Sequence, residues 1–184
     1  MVHLPFSRSV RSFINRRILE KELNTERWVF SESRVVLIFN ESASWERYYL
    51  PVSIKDKVVL DVGAGEGETA RFFLNHGAAK IICIESEPIA AKTLEVNAFN
   101  HPGKIEVHPK FFELKDLSMK HDFMKMDIEG YEESLLGGTQ LAAPAVIEAH
   151  GLPLMDKFKK QGYRVDNTAN MNGFGCISFA YWKC

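Results

Sequence analysis

From Lys57 onward, short apolar runs alternate with stretches whose apolar residues recur three and four apart. The runs predict strands over 57–62, 80–85, 104–108, 122–127, 144–149, 163–167 and 175–182. The stretches between them predict helices over 67–76, 88–100, 130–137 and 153–161. Asn75-His76-Gly77 is a glycine stop for the first of these helices. Pro88 falls in the first turn of the second, where its missing N–H costs nothing. Residues 108–122 leave little room for a full helix, so a loop is expected there. Strands alternating with helices imply a mostly parallel sheet covered on both faces, an α/β fold. The last two strands lie close in sequence and could pair antiparallel at one edge.

The first 55 residues follow a different pattern. Phe6, Val10, Phe13 or Ile14 and Ile18 have helical spacing over residues 6–23, with Arg8, Arg11, Arg16, Arg17 and Lys21 among them. Such a basic amphipathic helix can lie on a membrane or bind RNA, but docking one face on its own domain is the simpler reading. Residues 28–39 and 45–52 are rich in Val, Ile, Phe, Trp and Tyr, which predicts a hairpin or edge strand around an Asn40–Ser44 turn. The expected organisation is an N-terminal helix and cap segment, 1–54, packed on a ligand-binding unit, 55–184. The apolar patch at Trp28–Tyr49 would serve as a lid or as a homodimer contact.

At 184 residues and 46% apolar content, the chain can bury a substantial core as one globular unit. A net charge of −1 points to no polyanionic partner. The three cysteines, Cys83, Cys176 and Cys184, have no metal-ligand spacing, and the six histidines form no zinc pattern, so no metal site is expected. A buried, inert Cys83 and a reducing, cytoplasmic setting fit this usage. No apolar run has the length of a membrane span, and no signal-peptide core opens the chain.

The chemistry concentrates in Val58-Val-Leu-Asp-Val-Gly-Ala-Gly-Glu-Gly67. Gly63, Gly65 and Gly67 follow a buried strand, and the acidic Glu85 ends the next one. An acidic residue about 20 positions after such a loop is where a strand-helix-strand unit reaches ribose hydroxyls. The glycine spacing is not that of a dinucleotide fingerprint, and Asp61, Glu66 and Glu68 make a poor phosphate cradle. They suit a cationic ligand. S-adenosylmethionine carries a sulfonium, an ammonium and a ribose, with no phosphate.

Ligands of such sheets bind at the carboxyl ends of the strands. That rule gathers the glycine loop, Glu85 and Ser86, residues 108–112, 127–131 and 148–151 around one cleft. In Met124-Lys-Met-Asp-Ile-Glu-Gly-Tyr131, Asp127 and Glu129 are two apart and point the same way in extended backbone.

Residues 58–67, Glu85, 97–100, 124–131 and 146–148 together resemble a class I S-adenosylmethionine-dependent methyltransferase. The Asp-Ile-Glu-Gly stretch resembles the FkbM-type subfamily. The resemblance covers roughly 55–165 and implies a Rossmann-like fold. That fold is a seven-stranded, mostly parallel sheet with one antiparallel edge strand and helices on both faces. It implies O-methylation of hydroxyls on sugars or related small molecules. Gly63, Ala64, Gly65 and Gly67 would pass close to the cofactor's methionine part. Asp61 would orient that loop or reach the ammonium. Glu85 would hold the ribose hydroxyls, with Ser86 beside it, and Asp127 would lie near the sulfonium.

A hydroxyl acceptor must lose a proton, and Glu129, His150 and Asp127 are the candidate bases. His150 has a suitable intrinsic pKa, and it shares a side of its strand with Glu148. Mg²⁺ on Asp127 and Glu129 would be another route, although two carboxylates are few for a metal site. Three rivals stand beside this reading. Amino-methyltransferases acting on nucleic-acid bases often carry Asn-Pro-Pro-Tyr or a near variant where Asp-Ile-Glu-Gly stands, which argues against that chemistry and leaves RNA ribose methylation open. A NAD-dependent oxidoreductase is disfavoured by the glycine spacing. A non-catalytic module retaining the fold is the third.

Overall fold

A computed structural model describes residues 8–128, 131–135, 141–150, 152–166 and 177–184. Two helices open the chain, α1 (Arg8–Thr25) and α2 (Glu32–Tyr49). Then β1 (Val58–Val62), α3 (Glu68–Asn75), β2 (Lys80–Glu85), α4 (Pro88–Asn100) and β3 (Ile105–Pro109) alternate. After β4 (Phe123–Met126) come β5 (Ala145–His150), α5 (Leu152–Lys160), β6 (Arg164–Asp166) and β7 (Ile177–Trp182). Residues 108–122 hold a single short 3₁₀ turn, Leu114–Ser118, as their length requires. The helix expected over 130–137 is, across the described residues, a 3₁₀ turn at Glu132–Leu135.

The seven strands form one sheet in the order β3-β2-β1-β4-β5-β7-β6. All neighbours run parallel except β7, which is antiparallel to both β5 and β6. The expected antiparallel pairing of the last two strands is present, with β6 outermost. Strand order reverses between β1 and β4, so their carboxyl ends flank the crevice in which such sheets bind ligands.

Alternation along the strands divides the core into two layers. Val59, Ile81, Cys83 and Phe123 face Phe72, Phe73 and Leu94 from α3 and α4. Leu60, Ile82, Met124 and Ile147 face Met155 and Phe158 from α5. Cys83 is fully buried, and burial pushes its thiol pKa well up, as suits an inert core group.

The segment expected to be a hairpin is the helix α2. Ser31 caps it, its hydroxyl accepting from the Arg34 N–H at 3.4 Å. Val35, Ile38, Trp45, Tyr48 and Tyr49 are its buried face. Those positions recur at helical intervals, so Asn40–Ser44 lies mid-helix and makes no turn. Tyr48 stacks on Phe179 at 4.3 Å, and Trp45 meets Phe72 edge-on at 5.6 Å. Aromatic packing of this kind outweighs the strand propensity of the same residues. α2 therefore lies on the first layer as a cover over the strand tips.

Candidate active site

The strand tips at the switch point hold a glycine turn that other residues could not make. Gly63 has φ +75°, and a Cβ there would lie 1.7 Å from the Asp127 carbonyl oxygen. Each N–H of the loop already has an acceptor. Those of Gly63 and Ala64 donate to Ile84 O at 2.9 and 3.3 Å. Gly65 donates to Glu85 Oε2 at 2.8 Å, Glu66 to Glu68 Oε2 at 2.9 Å, and Gly67 to Ala64 O at 2.9 Å. Glu87 N–H fixes the other Glu85 oxygen at 2.7 Å. Glu85 is thus oriented through both oxygens while lining the cavity. A loop whose N–H groups are all engaged has little to offer a pyrophosphate.

Behind the loop lies a buried charge cluster. Asp61 is fully buried; Thr69 donates to its Oδ2 at 2.6 Å, and Lys125 Nζ stands 3.4 Å from its Oδ1. Lys125 donates to the Gly63 carbonyl at 2.8 Å and lies 3.8 Å from Asp127. Burial works to lower the Lys125 pKa, but Asp61, Asp127, Glu148 and Glu68 outweigh it, so the ammonium is held charged. Burial pushes the Asp61 carboxyl up, against the pull of Lys125 and Thr69. Closed off in this way, Asp61 is tied to the loop through Thr69 and Lys125.

In front of the loop is a cavity of about 330 Å³. Gly63, Gly65, Glu85, Ser86 and Asp127 line it, so five of the expected cofactor residues come together. Ala64 is buried, and Gly67 has Leu94 and Trp28 against it, which places both in the loop's support. Glu129 lies outside the described residues. His150 ends β5, and its side chain is likewise outside them. Glu132 is buried and accepts from the Ile128 N–H at 3.2 Å, a local structural role. A second hollow of about 100 Å³ shares Gly63, Ser86 and Ile128 with the first. Val62, Ile84, Phe112 and Ile128 line it, with Phe111 and Tyr131 at the rim. An apolar slot beside a carboxylate cleft fits a flat heterocycle joined to a sugar.

The opposite wall comes from α2, through Arg34, Leu37, Glu41, Trp45 and Tyr49. Arg34 Nη1 donates to Glu68 Oε1 at 2.7 Å. The Tyr49 hydroxyl donates to Glu148 Oε2, and its ring centroid lies 5.9 Å from Lys125 Nζ. Burial, then the neighbouring Glu148 and Asp127, push the Tyr49 pKa well up. Glu41 is raised by burial and by Asp127, against Arg34. Among the described residues, six carboxylates face two cations around the cavity: Glu41, Glu68, Glu85, Glu87, Asp127 and Glu148 against Arg34 and Lys125.

α2 is also stitched to the loop. The Ser31 N–H and hydroxyl donate to Glu66 at 2.6 and 2.5 Å. Asn97, fully buried, exchanges two hydrogen bonds with Val29 and donates a third to Glu66 O. The α2 residues and Lys125 were missed in the sequence reading. The helical recurrence from Val35 to Tyr49 was the available signal for α2. Nothing local marks Lys125, since its partners come from other strands and helices.

No family model matches the chain. The fold is shared with solved methyltransferases. Fibrillarin from Aeropyrum pernix, solved with S-adenosyl-L-methionine natively bound, superposes with a TM-score of 0.56 at 13% identity. The superposition covers 77% of this chain and 73% of fibrillarin. A precorrin-6y C5,15-methyltransferase from Geobacter metallireducens gives 0.56 at 16% identity, covering 77% and 86%. By sequence, protein arginine N-methyltransferase 6 of Danio rerio is 34% identical over 106 residues, 55% of this chain. The chain spans 30% and 19% of the lengths of the first two curated relatives it matches. Among the described residues, no helix is long and apolar enough to cross a membrane.

Proposed function

We propose that this chain is a methyltransferase that uses S-adenosylmethionine and methylates a hydroxyl of a small molecule such as a sugar. When bound, the cofactor supplies an electrophilic methyl on sulfur. Glu85, fixed by two N–H donors, would hold the ribose hydroxyls; the apolar slot would take the adenine, and Asp127 would face the sulfonium. The acceptor enters between Asp127 and α2. The cavity residues would hold the acceptor's oxygen in line with that methyl group. The acceptor's proton then passes to a carboxylate. The observation that carries this reading is Glu41, a half-buried carboxylate of raised pKa beside Asp127 in the same cavity. A raised pKa makes it a stronger base than an exposed glutamate. Glu129 and His150 stay as further candidate bases, and the FkbM-type resemblance supports the hydroxyl acceptor.

The charge balance of the cavity favours a second reading. Six carboxylates to two cations suit a guanidinium acceptor, and the curated relatives are arginine methyltransferases. A labelled-methyl screen over sugars, phenols, RNA and arginine peptides separates the two. Label on sugars or phenols supports the first reading, label on arginine peptides the second, and label on RNA alone defeats both. The Glu41 carboxylate acts when deprotonated, so kcat/KM falls as pH drops through a pKa above the ordinary glutamate value of 4.5. Glu41→Gln is expected to remove that acid limb and lower kcat by roughly 10²-fold or more. An unchanged profile removes Glu41 from proton transfer.

A further inference from the structure

The amino-acid end of the cofactor is a zwitterion, and its carboxylate needs a cation or free N–H donors. The glycine loop does not provide donors, because the N–H groups of residues 63 to 67 are engaged within the protein. Of the two cations that line the cavity among the described residues, Lys125 is 2% exposed and committed to the Gly63 carbonyl, Asp61 and Asp127. The other is Arg34, about one-third exposed, which reaches in from α2 to Glu68 at the loop end of the cavity. Its guanidinium has five donors in a planar fork, and the contact with Glu68 is made through Nη1.

We infer that Arg34 clamps the cofactor's α-carboxylate, so that the N-terminal helix α2 completes the cofactor site. This rests on the reading of the cavity as an S-adenosylmethionine site. Guanidinium forks match carboxylates in two parallel hydrogen bonds. Glu68, the present partner, stays alongside for the ammonium, so the Arg34–Glu68 pair is complementary to both charges of the ligand's end. Burial pushes the Glu68 carboxyl up while Arg34 draws it down, so an arriving ammonium would take over the role Arg34 now plays. The same contact explains why α2 is fastened to the loop by Ser31 and Asn97: a clamp on a mobile arm would not fix the methyl group in line.

The test compares two probes on the whole chain by calorimetry. S-adenosylhomocysteine carries the carboxylate, and 5′-methylthioadenosine lacks the whole amino-acid end. Arg34→Ala is expected to weaken S-adenosylhomocysteine roughly 10- to 100-fold and to leave methylthioadenosine within about threefold. Arg34→Lys, which keeps a point charge but loses the fork, is expected to fall between. Should Arg34→Ala not fold, Arg34→Lys and its ratio of the two affinities carry the test. Equal weakening of both probes overturns the inference and makes Arg34 a structural strut. No weakening of either assigns the carboxylate to the first turn of α3 and also overturns it. If the unmutated chain binds neither probe, the cofactor reading itself has failed.

Discussion

The two walls of the cavity are built on opposite plans. The strand-tip wall, from β1, β2 and β4, is closed on itself. Its loop N–H groups end on Ile84, Glu85, Glu68 and Ala64, and its buried cation and Asp61 lie 3.4 Å apart. The α2 wall instead sends long side chains into the same space and joins the rest through distant partners. Arg34 meets Glu68 34 residues away, and Tyr49 meets Glu148 99 residues away. The first plan resists change, because every substitution leaves a buried group unmatched. The second tolerates change, because its groups face a cavity. The former wall suits the parts of a ligand that do not vary and the latter, Arg34 apart, the parts that do.

The contrast can be broken most severely at Lys125. Lys125→Met leaves Asp61 buried without its cation, and removal of one partner of a buried pair costs about 3–5 kcal/mol. Urea denaturation is expected to show that loss, and adding Asp61→Asn should recover a good part of it. A loss under about 1 kcal/mol would mean that the strand-tip wall is not closed as described.

Gly63→Ala comes next. Its left-handed backbone costs an L-residue about 1–2 kcal/mol, and the Asp127 carbonyl must move to admit the methyl group. With about 1–3 kcal/mol more for that shift, Tm is expected to fall by roughly 5–15 °C at this chain length. S-adenosylhomocysteine binding is expected to vanish with it.

The smallest effect sharpens the contrast. Tyr49→Phe removes the hydroxyl bond to Glu148, at a cost of about 1.5 kcal/mol. Hydrogen exchange should then quicken in α2 while β1 and β4 keep their protection. Equal loss in the strands would show one cooperative unit where two are argued.

The same contrast explains what could be read from the sequence. The strand-tip wall depends on local rules: a buried apolar run, a glycine turn, an acid at the next strand end. Val58–Val62, Lys80–Glu85 and the loop between them were therefore legible to within a residue or two. The α2 wall depends on tertiary contacts. Val35, Ile38 and Trp45 read as strand formers by residue type, and only their 3–4 spacing, together with Ser31 as a cap, pointed to a helix. Glu41 and Arg34 look like ordinary exposed charges in the sequence, since what makes them informative is the sheet beneath them. Lys125 was hidden for the converse reason. A lysine inside a strand is seldom buried, and here four carboxylates, from β1, the residue after β4, β5 and α3, keep it charged there.

The long span between Tyr49 and Glu148 also orders events during synthesis. α2 leaves the ribosome with its aromatic side bare; its anchor on Glu148 is made 99 residues afterwards, and the stacking of Tyr48 on Phe179 later still. At about 5–20 residues per second, the first of these contacts comes roughly 5–20 s later. A helix so placed is a sticky passenger on the nascent polypeptide, and slower elongation past β4 would lengthen the interval in which it can find the wrong companion.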